Sequence, residues 1–137
     1  MVGDFWKQIA RLKREAQLFD CVFIDPPFFA TSKNGTVDLE TQSHSLINKV
    51  RPLISQDGYL VAVNNALYLA GSEYLKRLEA LCESGYLTIE ALIPVPEDIT
   101  GYLCTRRASA PADPAPFNHP TKIAILRVQR KDGRKDQ

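Results

Sequence analysis

The 137-residue chain is 45% hydrophobic and 24% charged, with a formal net charge of +1. That length suits one compact domain with a modest core and argues against a multidomain enzyme. The near-neutral balance argues against wholesale polyanion binding, while leaving room for local patches that meet RNA or DNA.

In chain order, residues 4–17 (DFWKQIARLKREAQ) set Phe5, Ile9, Leu12 and Ala16 along one side of a helical wheel, with Lys7, Arg11 and Arg14 elsewhere, which predicts an amphipathic helix. Cys21 to Ile24 form a short apolar run ended by Pro26 and Pro27. It reads as a central parallel strand buried on both faces, with Asp25 at its tip. Residues 31–36 (TSKNGT) carry a turn signal at Asn34 and Gly35 and read as a loop on the same rim. A second helix follows, with Asp38 as cap and Leu39, Leu46, Ile47 and Val50 at helical spacing. Tyr59 to Val63 read as the next strand, and Asn64 and Asn65 stand where it runs out. Ser72 to Cys82 read as a third helix, with Tyr74, Leu75, Leu78 and Leu81 inward and Gly85 as its stop. Two further strands lie in YLTIEALIPV and TKIAILRVQ.

Between those strands, residues 94–119 form a long proline-rich loop, a length more often functional or disordered than idle. The tail, residues 130–137, reads as frayed. Residues 57–100 carry two basic and seven acidic side chains, and residues 101–137 carry eight basic and three acidic, so charge is segregated along the chain. The glycines, at 3, 35, 58, 71, 85, 101 and 133, are too scattered for a phosphate-cradling loop. Three widely spaced cysteines and no signal peptide point to a reducing, cytoplasmic setting, and no apolar run is long enough to cross a membrane. Two histidines without metal-ligand spacing give no reason to expect a metal site.

The sharpest local signal is Asp25-Pro26-Pro27-Phe28. Two prolines after a buried strand hold a carboxylate in place, and an adjacent ring can stack on a planar base. Such a set can accept a hydrogen bond from an amino group and orient it for attack on an electrophilic carbon. The plainer alternative is that Asp25 caps a turn while Phe28 and Phe29 belong to the core.

The segment FDCVFIDPPFFATSK, a following helix, GYLVAVNN and the late PFNHPTKIAILRV together resemble the C-terminal part of a class I S-adenosylmethionine-dependent methyltransferase. The resemblance is to bacterial large-subunit ribosomal RNA methyltransferases with a DPP-x-F motif, and it spans nearly all of residues 5 to 130. It implies an α/β fold: a partial Rossmann-like sheet of parallel strands with an antiparallel terminal strand, lacking the first three strands of the full fold. It implies S-adenosylmethionine as cofactor, an RNA base as acceptor, and direct transfer without a covalent enzyme intermediate. Asp25, Pro26, Pro27 and Phe28 then form the catalytic motif, and Asp25 and Asn64 lie towards the cofactor. Phe29, Lys33, Asn65, Asn118 and His119 lie towards the substrate. Relatives that methylate carbon 5 of cytosine need a cysteine near the end of the second strand, where this chain has Asn64 and Asn65. That pair is similar to members methylating a nitrogen. Cys21 and Cys82 read as core, leaving Cys104 as the one cysteine with room for a reactive role.

The resemblance also implies that most of the cofactor side lies in sequence not present here, so that independent binding of the cofactor is doubtful, and that the first strand exposes an apolar edge suited to homodimer formation. The rival reading is a noncatalytic fragment that binds RNA or a protein partner. A nucleotide-cofactor oxidoreductase is disfavoured by the missing dinucleotide fingerprint. His44 reads as a surface or packing residue. His119 fits either a rim contact or loop closure. Arg106 and Arg107 read as solvated surface, Tyr102 as a candidate stacking residue, and Trp6 as packing for the first helix.

Overall fold

A computed structural model describes residues 4–27, 29–32, 35–100 and 117–131, with the side chains of residues 29–41 and of Glu97 and Thr100 outside the description. The elements are α1 (Phe5–Arg14), β1 (Phe19–Ile24), β2 (Phe29–Ser32), β3 (Gly35–Asp38), α2 (Leu39–Val50), β4 (Ile54–Asn64), α3 (Gly71–Cys82), β5 (Leu87–Ile93), α4 (Glu97–Thr100) and β6 (Lys122–Val128). A 3-10 turn, Arg51–Leu53, joins α2 to β4.

Asp4 caps α1, its carboxylate accepting from the Lys7 amide at 3.2 Å. Arg11, Lys13 and Arg14 in the last turn suit the negative end of the helix dipole. The helix ends three residues before the predicted boundary, and Ala16 takes a left-handed φ of 52°, so it terminates the helix instead of continuing its apolar stripe. Trp6 and Ile9 do pack against the core.

The main sheet has the order β1-β4-β6-β5. β1 and β4 are parallel, whereas β6 is antiparallel to both β4 and β5. The three forward strands therefore point one way and the last strand returns between two of them. This mixed sheet with flanking helices agrees with the partial Rossmann-like sheet, parallel with an antiparallel last strand, that was expected. β6 alternates cleanly: Lys122, Ala124, Leu126 and Val128 are buried while Ile123, Ile125 and Arg127 are half-buried. Ala124, Leu126 and Val128 meet Leu46, Ile47 and Val50 of α2, Tyr74 and Leu78 of α3, and Leu60 and Ala62 of β4 in one cluster.

Four expectations need correction. β1 is not central and doubly buried: among the described residues it pairs on one side only, and Phe23 is 71% exposed. Cys21 is exposed with it, so it is not a core residue. Cys82 is half-buried against the core, and burial pushes its thiol up. Residues 31–36 are not a plain loop, because β2 and β3 pair antiparallel, with Thr31 opposite Thr36 and Ser32 opposite Gly35. Finally, β4 starts five residues before Tyr59. Its first part bulges: the register jumps from Phe19↔Ile54 to Cys21↔Tyr59, and Asp57 has a φ of 62°. Gly58 follows because a Cβ there would meet the Asp20 carbonyl oxygen at 2.8 Å and the Ile54 side chain at 2.7 Å. Cys104, Tyr102, Arg106, Arg107 and most of the long loop lie outside the described residues.

Tyr74 is 1% exposed and rings with Phe117 at 5.8 Å between centroids. Burial holds its phenol above the ordinary tyrosine range. The folded state therefore keeps this proton more tightly than the unfolded chain, whose phenol ionises near pH 10. That contribution is complete below about pH 10 and is lost as pH rises further. Urea midpoints measured at pH 8 and pH 11 should fall less for Tyr74→Phe than for the parent chain, and an equal fall would refute the assignment.

Candidate functional site

Three segments converge where β1 and β4 end and β6 begins. β1 runs out at Ile24, and the two prolines that follow stop further ladder pairing, leaving Asp25 exposed at the tip. Parallel pairing sets Ala62 beside Ile24, so Asn64 and Asn65 leave β4 next to Asp25. Antiparallel pairing sets Lys122 beside Asn64, which brings the preceding Thr121 to the same place.

Asn65 links all three. Its Nδ2 donates to Asp25 Oδ1 at 2.8 Å, and its Oδ1 accepts from the Thr121 hydroxyl at 2.9 Å. An ionised carboxylate only accepts, so the amide nitrogen must face Asp25 and the amide oxygen then needs a donor, which Thr121 supplies. The chain of donors runs in one direction and fixes one oxygen of Asp25. Among the described residues the other oxygen has no partner.

Asn64, expected to lie towards a cofactor, is turned inward. It is 1% exposed, and its Oδ1 accepts from the Ala66 amide at 2.9 Å. That bond shapes the turn that presents Asn65. Lys122 is completely buried, its ammonium donating to the carbonyl oxygens of Ala66 at 3.0 Å and Pro120 at 2.6 Å. It ties the chain leaving β4 to the chain entering β6. Asn118 is fastened to the end of β5, accepting from the Val95 amide and donating to the Val95 carbonyl, both at 2.9 Å. His119 Nδ1 accepts from the Thr121 amide at 3.0 Å, so of its two readings loop closure is the one with a contact in the structure. His44 is exposed.

The structure thus brings together Asp25, Pro26, Pro27, Asn64 and Asn65, with Asn118 and His119 behind them as a scaffold for the entry to β6. Phe28 and Lys33 lie outside the described residues, as does the side chain of Phe29. Among the described residues no group of His, Cys, Asp and Glu is placed to hold a metal ion, and no helix is long and apolar enough to cross a membrane. Sequence reasoning missed Thr121 and Lys122. A signal existed: a polar pair opens the alternating run IAILRV, and a strand returning antiparallel must begin on the rim where Asp25 ends its own.

No family model matches the chain. In sequence it is similar to ribosomal RNA large subunit methyltransferase K/L of Hydrogenovibrio crunogenus, 46% identical over 50 residues, which is 35% of this chain and 7% of that protein. The corresponding protein of Acinetobacter baumannii is 35% identical over 85 residues, 61% of this chain and 11% of the relative. The matched segment is therefore a small part of these relatives' length. In structure the chain is similar to SMU.776, assigned as a methyltransferase and solved with SAH, at a TM-score of 0.73 and 21% identity, covering 93% of this chain and 30% of that one. M1.HpyAVI gives a TM-score of 0.54 at 14% identity, covering 96% of this chain and 54% of the other. The chain carries part of the fold of S-adenosylmethionine-dependent methyltransferases and is related in sequence to a segment of the ribosomal RNA large subunit methyltransferase K/L proteins.

Proposed function

We propose that the chain forms the methyl-acceptor side of an S-adenosylmethionine-dependent methyltransferase domain that acts on a nucleic-acid base, with ribosomal RNA as the substrate class. The observation that carries this reading is the Asp25 carboxylate at the tip of β1, held through one oxygen by Asn65. The sequence relationship to proteins named for ribosomal RNA methylation supports the choice of substrate.

S-adenosylmethionine, when bound, supplies an electrophilic methyl group on a sulfonium sulfur. The residues present fit the acceptor side better than the cofactor. Asp25 and the backbone of residues 25–27 are what this rim offers near the transferred group, while the inward-turned Asn64 offers no side chain. Asp25 accepts an N–H of the base through its free oxygen and sets the direction of the nitrogen's approach. Asn65 keeps the carboxylate from rotating, and the two prolines keep its backbone from following the substrate. Rate is gained by orientation, because the base already carries the nucleophile.

Titration with S-adenosylmethionine, followed by transfer of labelled methyl to an unmodified large-subunit ribosomal RNA transcript, tests the reading. Saturable binding and transfer are expected from a polypeptide extended upstream through a cofactor-binding segment. Failure of both in that longer polypeptide would refute it. For the 137-residue chain itself, the exposed Phe19 and Phe23 on the open edge of β1 support self-association as a homodimer. Sedimentation equilibrium should return twice the chain mass, and Phe23→Lys should return the monomer.

A further inference from the structure

The rim opposite Asp25, where β1 and β4 begin and β6 ends, gathers cations from four separate segments. Lys13 lies in the last turn of α1, Lys49 in the last turn of α2, Arg51 in the 3-10 turn, and Arg130 and Lys131 just past β6. The Arg51 guanidinium lies 4.8 Å and the Lys131 ammonium 5.3 Å from the centre of the Tyr86 ring, so both charges are held near one aromatic anchor. Arg130 is fixed by donation to the carbonyl oxygens of Pro52 at 3.0 Å and Ile54 at 3.2 Å. Lys13 and Arg130 line one shallow groove of about 370 Å³ together with Gln17 and Pro52.

Among the described residues cations outnumber carboxylates at this rim. No ion pair among those residues holds Lys13, Lys49, Arg51 or Lys131. Of the acidic side chains near this rim, Glu15 pairs with Arg11 at 3.1 Å, while Asp20 and Asp57 have neutral hydrogen-bond partners, Ser55 at 2.8 Å and Gln129 at 2.6 Å, and offset only part of the set. Burial, together with the charges of Lys49 and Arg51, pushes the Lys13 amine down, so both of those cations lie within electrostatic reach of Lys13. Like charges gathered in excess of counter-charge oppose folding, and an external polyanion relieves that repulsion.

We propose that this basic rim is a phosphate-backbone contact for structured RNA, separate from the base-receiving site at Asp25. The inference rests on the methyl-transfer reading for its choice of RNA over other polyanions. The bulge after Ile54 takes up part of β4, so the distance between the rims is set by β1, whose Phe19–Ile24 run beside Ile54–Ala62, a span of about 20 Å at roughly 3.3 Å per residue. That corresponds to about six stacked base pairs at roughly 3.4 Å each. A base held at Asp25 would therefore have its flanking stem, about half a helical turn away, against Lys13, Lys49, Arg51 and Lys131. A single nucleotide or a short single strand would reach only one of the two places.

The test is fluorescence anisotropy of the full chain with a labelled RNA hairpin of about twelve base pairs, titrated at several salt concentrations. Neutralising the exposed cations together (Lys13→Gln, Lys49→Gln, Lys131→Gln) should weaken binding at least ten-fold at low salt. It should also reduce the slope of log affinity against log salt by about two to three, in line with roughly 0.7–0.9 per lost phosphate contact. The control pair Lys7→Gln, Lys76→Gln, which removes exposed lysines away from this rim, should change affinity less than three-fold. An unchanged melting temperature in the triple variant shows that the fold survives. No hairpin binding by the parent chain, or equal losses in triple variant and control, overturns the proposal. So does tighter capture by phosphatidylserine vesicles than by the hairpin, which would assign the rim to a lipid surface. Failure of the methyl-transfer reading appears separately, in the transfer assay, because this binding measurement needs neither cofactor nor Asp25.

Discussion

Lys122→Met is expected to lower the free energy of unfolding by about 2–4 kcal/mol, read as a lower urea midpoint at unchanged slope. Lys122 is fully buried, and its ammonium satisfies the carbonyl oxygens of Ala66 and Pro120. Methionine keeps most of the apolar stem, so the packing loss is small. What changes is that two acceptors, one buried and one half-buried, lose a charged donor, the buried one worth about 1–3 kcal/mol when left unsatisfied. The relief from no longer burying a cation offsets part of this, which is why the expected loss stays below the sum. A midpoint equal to the parent's would mean that water reaches those carbonyls and that the clamp between β4 and β6 is not structural. Any loss should be accompanied by disorder at Asn65, because Ala66 and Thr121 are its immediate neighbours.

Asp25→Ala is expected to lower methyl transfer at least about 100-fold in a polypeptide competent for the reaction, the scale of effect when a reacting group is misplaced by about 1 Å. Asn65→Leu should produce a smaller loss, about ten-fold, since the carboxylate remains but can turn away from its single fixed bond. Asp25→Asn separates charge from position: it keeps the size of the group but presents an amide that can donate as well as accept. If Asp25→Ala transfers at the parent rate, the carboxylate merely ends a strand, which is the plainer of the two readings its sequence allows. Asp25 is exposed, so its two variants should melt within a few degrees of the parent.

Much of this organisation is legible in the residues because separate local signals agree. The apolar spacing of Leu46, Ile47 and Val50, and of Tyr74 and Leu78, gave helices whose inward faces are buried as expected. The position of Asp25 followed from two prolines after an apolar run, and Asn64 and Asn65 from the end of the next one. Failures occurred where a residue's surroundings come from far along the chain. Phe23 belongs to a run that reads as doubly buried, yet it stands at an open edge, so its composition answers to a neighbour not found among the described residues. The strand was expected from Tyr59 although it begins at Ile54, because Asp57-Gly58 suits a turn as well as a bulge and only the pairing with β1 distinguishes them. Lys122 was missed because a lysine is by default a surface residue. Its burial depends on two carbonyls, one of them fifty-six positions upstream. Thr121 became visible only once β6 was known to lie against β4.

The return of β6 between β4 and β5 constrains how the molecule can be made. Among the described residues β5 touches the rest of the sheet only through β6, so during synthesis it has none of the described strands to join until residues 122–128 have left the ribosome. Helices α2 and α3 can form early, but the cluster they cover is completed by Ala124, Leu126 and Val128. The nascent chain must therefore carry an unfinished apolar surface until those residues emerge, and closing it requires pairing residues more than fifty positions apart. Rare codons or a stall within the stretch before Lys122 would lengthen that exposed interval and favour aggregation, even though no contact in the finished fold would be altered.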